Sequence, residues 1–229
     1  MITIDALTVR YGSLTVFDGL TMHLSEQAVH GVVGVDGAGK SSLLRAVYGI
    51  ITPDSGSVTR AGHPLRRRDM AYLEDEPRFY DGLTGRDLLD LTAHCHPSSD
   101  PAPYVRLFAL PVDRPIAAWP AGMRKKLALT VALMQRKPLL LLDEPFDGLD
   151  AQSLYTVRQL IAQCRDEGST VLVTSQRLAT LEPLCDDIRL LDEGRVTAEY
   201  RRGEYARAAG ELEKFFARHY LTCYHGKIN

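Results

Sequence analysis

No stretch of this chain stays apolar for more than a few residues, and Met1-Ile2-Thr3-Ile4-Asp5 lacks the charged-then-apolar build of a secretory leader. The expectation is therefore a chain neither secreted nor membrane-spanning. Cysteine is scarce. Cys95, Cys164, Cys185 and Cys223 lie far apart with no CxxC pair, which excludes a disulfide framework and fits reduced thiols in a cytosolic protein. An excess of basic charge is also missing, because 27 Lys and Arg face 29 Asp and Glu for a net charge of −2. Nothing in that balance favours a broad surface for nucleic acid, and no nucleic-acid partner is expected. Internal repeats, low-complexity tracts and linker-like stretches are absent as well.

What remains is a chain of 229 residues with 45% hydrophobic and 24% charged side chains, the balance of an ordinary globular domain. A chain of that size buries roughly 70–75% of the surface its unfolded form exposes, so it needs no metal or disulfide staple. Ile2, Ile4, Leu7 and Val9 alternate as a strand, and Leu20, Met22 and Leu24 form a second after the Tyr11-Gly12 turn, an antiparallel opening. A more continuous apolar run from Val29 to Val35 leads through a glycine-rich stretch into the helical pattern Leu43, Leu44, Ala46, Val47, Ile50. Further on, Thr84-x-x-Asp87 forms a capping box ahead of Leu88, Leu89 and Leu91, and a second helix follows Pro101. Helices are expected over Gly122–Arg136 and Ala151–Arg165, and strands over Leu139–Leu142, Thr170–Thr174, Ile188–Leu191 and Val196–Tyr200. Strand and helix alternate, which predicts an α/β fold with a mainly parallel central sheet.

The strongest local signal is Gly34-Val35-Asp36-Gly37-Ala38-Gly39-Lys40-Ser41, which fits G-x-x-x-x-G-K-[ST] between a predicted strand and a predicted helix. Glycines let backbone N–H groups converge on phosphate oxygens at a helix N-terminus, which carries positive dipole. In that arrangement Lys40 reaches the outer phosphates and the Ser41 hydroxyl can ligate Mg²⁺, with Ser42 beside it. Leu139-Leu140-Leu141-Leu142-Asp143-Glu144 places two carboxylates at the C-terminal end of a buried strand, where ligands of open α/β sheets bind. Asp143 suits Mg²⁺ coordination through water, and Glu144 suits orienting the attacking water.

These residues, with Asp143-Glu144-Pro145-Phe146-Asp147-Gly148-Leu149-Asp150 and the preceding Met123-Arg124-Lys125-Lys126-Leu127-Ala128-Leu129, resemble the ATP-binding cassette (ABC) ATPases from Ile2 to about Tyr200. The resemblance implies a P-loop NTPase core of RecA-like type, with an N-terminal antiparallel β region and an inserted helical subdomain at about 84–137. Residues 1–200 would form the ATP-binding domain and 201–229 a helical extension, where Tyr205, Ala208, Ala209, Leu212, Phe215, Phe216 and Tyr220 recur at helical spacing. It also implies ATP and Mg²⁺ as ligands, a second cassette closing on the first, and a separate membrane permease that holds the chain at the inner face of the membrane. Tyr11 sits where the family places the aromatic that stacks on adenine, with Val16 nearby.

Three positions depart from the family pattern. The signature that clamps the γ-phosphate of the partner subunit, usually Leu-Ser-Gly-Gly-Gln, reads Trp119-Pro120-Ala121-Gly122-Met123. Pro120 supplies neither a hydroxyl nor an N–H, although it is also a welcome start for a helix. The loop that usually offers a glutamine to Mg²⁺ reads Tyr72-Leu73-Glu74-Asp75-Glu76-Pro77, with Asp75 in the aligned place as a metal or coupling residue or part of a solvated acidic loop. The switch histidine after the strand Thr170–Thr174 is Gln176, which donates a hydrogen bond but cannot become cationic.

Other groups carry less. His94-Cys95-His96 point in different directions on a helix and read as surface residues, Arg66-Arg67-Arg68 as a solvated turn, and Trp119 as subdomain packing. The leading functional expectation is the ATP-binding subunit of a transporter, of export type by the resemblance of its Glu74–Leu88 stretch. The alternative is a nucleotide-binding structural or regulatory module that hardly hydrolyses. Cassettes of DNA repair or translation carry a coiled-coil insertion or a second cassette, and this sequence has neither.

Overall fold

A computed structural model describes residues 1–206 and 209–211 of the chain. Strands β1 (Ile2–Tyr11) and β2 (Leu14–Leu24) pair antiparallel as expected, and their register shifts three times, by an extra residue once on β1 and twice on β2. The three-residue gap from Ile4 to Leu7 is a bulge, with Ala6 at φ 45°, which keeps Ile2, Ile4, Leu7 and Val9 on the buried face. Two short strands that the alternation does not reveal, β4 (Ser55–Arg60) and β5 (His63–Pro64), complete a four-stranded sheet in the order β2-β1-β4-β5. Ser55, Gly56 and Ser57 are exposed and carry no apolar rhythm.

The central sheet has six strands, adding β3 (Val29–Val33), β6 (Met70–Leu73), β7 (Leu139–Leu142), β8 (Thr170–Ser175), β9 (Asp187–Asp192) and β10 (Arg195–Arg201). Their order is β10-β9-β3-β8-β7-β6, parallel throughout except for the closing β9-β10 pair. All four leucines of β7 are fully buried, as strands covered on both faces require. Leu139 and Leu141 face the antiparallel sheet and α1 (Lys40–Tyr48), whereas Leu140 and Leu142 join Leu127, Leu129 and Leu133 of α4 (Ala121–Met134) and Val157 and Ile161 of α5 (Ala151–Asp166). Each such leucine contributes about 1.5–3 kcal/mol relative to exposure. The run through His30 and Gly31 is not interrupted, because buried His30 bonds Asp187 and the Ser25 carbonyl, and a Cβ on Gly31 would press on Cys185 and Ile188.

Between β6 and β7 lie α2 (Gly85–Cys95), α3 (Ala102–Phe108) and α4. The Thr84/Asp87 capping box forms in full. Trp119 is buried against Gly85 and donates its indole N–H to the Arg114 carbonyl, so it packs the helical layer as expected. A short helix α6 (Leu178–Leu181) follows β8. Tyr205 is buried, with its hydroxyl on the Cys185 carbonyl. The amphipathic stretch from Leu212 to Tyr220, and Cys223, lie outside the described residues.

Candidate functional site

Strands β3, β8 and β7 are adjacent and parallel, so the segments that leave their C-terminal ends meet at one edge of the sheet. That topology gathers the Gly34–Gly39 loop with Asp143-Glu144 and Ser175-Gln176, both more than a hundred residues further along the sequence. The loop shape is enforced by close approach. A Cβ on Gly34 would lie 2.5 Å from the Leu191 carbonyl oxygen, and Gly39, at φ +106°, lies against the Phe17 ring and Val16. Val16 thus flanks the loop, whereas Tyr11 ends β1 half-exposed.

Helix α1 starts directly from Gly39 with no side-chain cap and no acidic residue in its first turn, leaving its first N–H groups to an external acceptor. Ser41 and Ser42 sit in that turn, partly exposed, while Asp36 and Gly37 are exposed at the tip of the loop and Ala38 packs beneath it. Lys40 is buried. Its Nζ donates to the carbonyls of Gly34 at 2.9 Å and Val35 at 3.2 Å and lies 3.6 Å from Glu144 Oε1.

Asp143 is fully buried: Oδ1 accepts from the Thr174 hydroxyl at 2.7 Å, and Oδ2 has no hydrogen-bond partner among the described residues. A buried carboxylate oxygen left without a donor costs free energy that a bound cation or its water would recover, so the donor set fits a hard divalent ion. Glu144 lies beside it with its backbone at φ 43°. Its Oε1 likewise has no hydrogen-bond partner among the described residues, and Oε2 accepts the Gln176 backbone N–H at 3.3 Å. Burial raises the Glu144 carboxyl above the usual range, and the Lys40 ammonium pulls against that rise.

Gln176 completes a circuit. Its side-chain amide donates to Asp36 Oδ1 at 2.6 Å, so Lys40, Glu144, Gln176 and Asp36 are linked through the loop itself. Arg177 adds an exposed ion pair to Asp147 at 2.9 Å. Asp75 does not join this circuit. It is half-exposed and is held instead by Lys125 of α4, a buried cation whose Nζ bonds the Asp75 carbonyl at 2.5 Å and lies 3.4 Å from its carboxylate. Pro120 sits at the exposed start of α4, where its carbonyl accepts from Met123 and Arg124 at 3.0 Å, so its role as a helix start is realised. Sequence reading missed Lys125 and Thr174. The signal for Thr174 was a hydroxyl residue closing the apolar run Val171-Leu172-Val173.

The model of the ABC transporter family matches residues 17–147. The lantibiotic transport ATP-binding protein SrtF of Streptococcus pyogenes is 29% identical over 206 residues, 87% of this chain and 90% of its own length. The daunorubicin resistance ATP-binding protein DrrA3 of Streptomyces coeruleorubidus is 32% identical over 86% of this chain and 67% of its own. Among solved structures, the ATP-binding subunit of an ABC transporter superposes with a TM-score of 0.85 at 26% identity, covering 95% of this chain and 98% of that one. A dimeric cassette in a post-hydrolysis state with ADP and Pi shares the fold, with a TM-score of 0.78 at 19% identity over 88% and 99% of the two chains. With the phosphate loop, the paired carboxylates and the strand order that unites them, these matches make the chain a member of the ABC transporter family: an ATP-binding subunit and a P-loop ATPase.

Proposed function

We propose that this chain hydrolyses ATP slowly on its own and uses ATP-driven closure with a second cassette to move a separate membrane permease. The observation that carries the reading is the buried pairing of Lys40 with Glu144 beside an Asp143 oxygen without a hydrogen-bond partner among the described residues. The triphosphate docks on the Gly34–Ser42 loop and the free N-terminus of α1, and Lys40 exchanges the Gly34 and Val35 carbonyls for phosphate oxygens. Ser41 and Asp143 hold Mg²⁺, which when bound neutralises charge on the outer phosphates. Glu144 Oε1, which accepts no hydrogen bond among the described residues, orients the attacking water and takes up its proton. Gln176, released from Asp36, turns its amide toward the γ-phosphate, a neutral donor where the family places a histidine.

Pro120 and Ala121 are exposed at the start of α4, where a second cassette would present its nucleotide. The permease is proposed to engage the groove of about 720 Å³ lined by Asp75, Phe79, Tyr80, Ala121 and Arg124. Tyr80, 85% exposed, offers an aromatic anchor there. Among the described residues no helix is long and apolar enough to cross a membrane, so this reading assigns the membrane to the partner and the chain to its cytoplasmic face. Relatives named for lantibiotic transport and daunorubicin resistance support export as the direction. The regulatory alternative draws its support from Pro120, which removes a donor toward the partner's phosphate.

The test is Mg²⁺-ATP turnover of the wild type beside gel filtration of Glu144→Gln in ATP. Measurable turnover, with an ATP-dependent dimer in the variant, is expected. A silent wild type beside a variant that still dimerises on ATP would leave the regulatory module as the better account, and a variant that stays monomeric in ATP would overturn the closure.

A further inference from the structure

Asp143 and Glu144 are consecutive residues just past the C-terminal end of β7, where a continued strand would send their side chains to opposite faces. What orients them comes from the neighbouring strand. β7 and β8 pair in parallel register with Leu142 opposite Val173, which brings Thr174 beside Asp143. The Thr174 side chain is fully buried and touches both acids: its hydroxyl donates to Asp143 Oδ1 at 2.7 Å and accepts the Glu144 backbone N–H at 3.0 Å.

Each bond has a distinct consequence. Spending the single hydroxyl proton on Oδ1 fixes the Asp143 carboxylate with its other oxygen, Oδ2, as the one left without a partner. Accepting from the Glu144 N–H pins a non-glycine residue in the left-handed region, φ 43°, a strained conformation that persists only where its surroundings over-determine it. The residue type fits both tasks. A buried strand end would ordinarily carry valine, and an unpaired hydroxyl there would be costly, but this hydroxyl is used in both directions. Its β-branch stiffens χ1, so the oxygen holds one direction.

We infer that Thr174 is a positioning residue of the ATPase, one hydroxyl that sets the metal-facing oxygen of Asp143 and the backbone of Glu144 together. The inference rests on the proposed roles of Asp143 and Glu144. Its first consequence falls on Mg²⁺: an Asp143 carboxylate free to rotate binds the ion less well, while the phosphate loop, which Thr174 does not touch, keeps its grip on metal-free nucleotide.

The experiment measures ATP binding by calorimetry, with Mg²⁺ and with EDTA, for wild type, Thr174→Val and Thr174→Ser, alongside the melting temperature and kcat. Valine keeps the shape and removes the hydroxyl; serine does the reverse. Thr174→Val is expected to lose roughly 10-fold or more of the Mg²⁺-dependent gain in affinity and a similar factor in kcat, with ATP affinity in EDTA unchanged. Thr174→Ser is expected to restore most of both. Should the valine variant not fold, Thr174→Ala takes its place against serine. In a double-mutant cycle, adding Thr174→Val or Thr174→Ala to Asp143→Asn should remove no further Mg²⁺ dependence. A valine or alanine variant with wild-type Mg²⁺ dependence, or a serine variant as impaired as either, overturns the positioning role. A wild type whose ATP affinity ignores Mg²⁺ instead overturns the reading of Asp143 itself, and the two failures are distinguishable.

Discussion

The carboxyl-terminal edge of the central sheet and the start of α4 are both surfaces that nucleotide-bearing partners would meet, yet they are built differently. At the sheet edge Lys40, Asp143 and Glu144 are buried and bonded to one another or to neighbouring strands. At the start of α4 Pro120 and Ala121 are exposed and held only by backbone. At the first region the buried Lys40, Asp143 and Glu144 keep the family pattern while the exposed Gln176 departs from it, and at the second region Pro120 and Ala121 depart from it. Substitution at the buried edge leaves an uncompensated charge or an orphaned oxygen inside the protein, which damages fold and function together. Substitution at the exposed start of α4 costs the fold little, since Pro120 is the N-cap, ahead of the first helical residue, where its missing N–H removes no intrahelical bond. Burial accounts for which half of the site is intact.

Removing the lysine tests the buried half most severely. Lys40→Ala is expected to show no calorimetric heat with Mg²⁺-ATP at concentrations that saturate the wild type. The wild type should gain about 2.7 kcal/mol of stability at a hundredfold excess over Kd, seen as a raised melting temperature that the variant lacks. Equal heats for the two proteins would show that the loop is not the binding site.

Glu144→Gln separates binding from chemistry within the same region. The amide keeps an acceptor for the Gln176 N–H but cannot take a proton, so turnover should fall by about 10²–10⁴-fold with ATP affinity retained. Turnover at the wild-type rate would remove Glu144 from the water-activating role.

The exposed half should respond in the opposite direction. Pro120→Ser with Ala121→Gly returns a hydroxyl and a closer approach to the surface proposed to face the partner's nucleotide. A hydrogen bond to a charged group is worth about 1.5–3 kcal/mol, or roughly 10–100-fold. A several-fold rise in the turnover of the dimer is expected, short of that ceiling because Gln176 remains. Unchanged turnover in a protein that dimerises on ATP would show that Pro120 is not the limiting residue.

What could be read from sequence follows the same division. The glycine loop, the Leu139–Leu142 run with its two acids and the Thr84 capping box were legible because each is a local pattern with a local physical cause. Strands β4 and β6 were not. Ser55–Arg60 has no apolar alternation, and Met70–Leu73 is too short to separate from a loop until its pairing with β7 is known. Thr174 and Lys125 escaped for a different reason. Their partners, Asp143 and Asp75, lie 31 and 50 residues away, and only the strand order and the packing of α4 bring them together. Resemblance placed Asp75 with the metal by alignment, and the competing cation could not be seen.

The smallest expected effect sits on the boundary between the two regions. Asp75 aligns with a metal-facing position, but its carboxylate lies beside the buried ammonium of Lys125, which also holds the Asp75 carbonyl. If that pairing is the side chain's main role, Asp75→Asn removes one half-exposed charge from a cation that keeps its carbonyl bond. Exposed pairs contribute about 0–1 kcal/mol, so the melting temperature should fall by little, and the Mg²⁺ dependence of ATP binding should stay within twofold of wild type. Lys125→Met should be the more damaging change, since it removes the only link from α4 to the Asp75 carbonyl among the described hydrogen bonds. Calorimetry with Mg²⁺ and with EDTA on Asp75→Asn decides the matter. A tenfold loss confined to the Mg²⁺ condition would return Asp75 to the metal, and would mean that the Lys125 pair must open each time nucleotide binds.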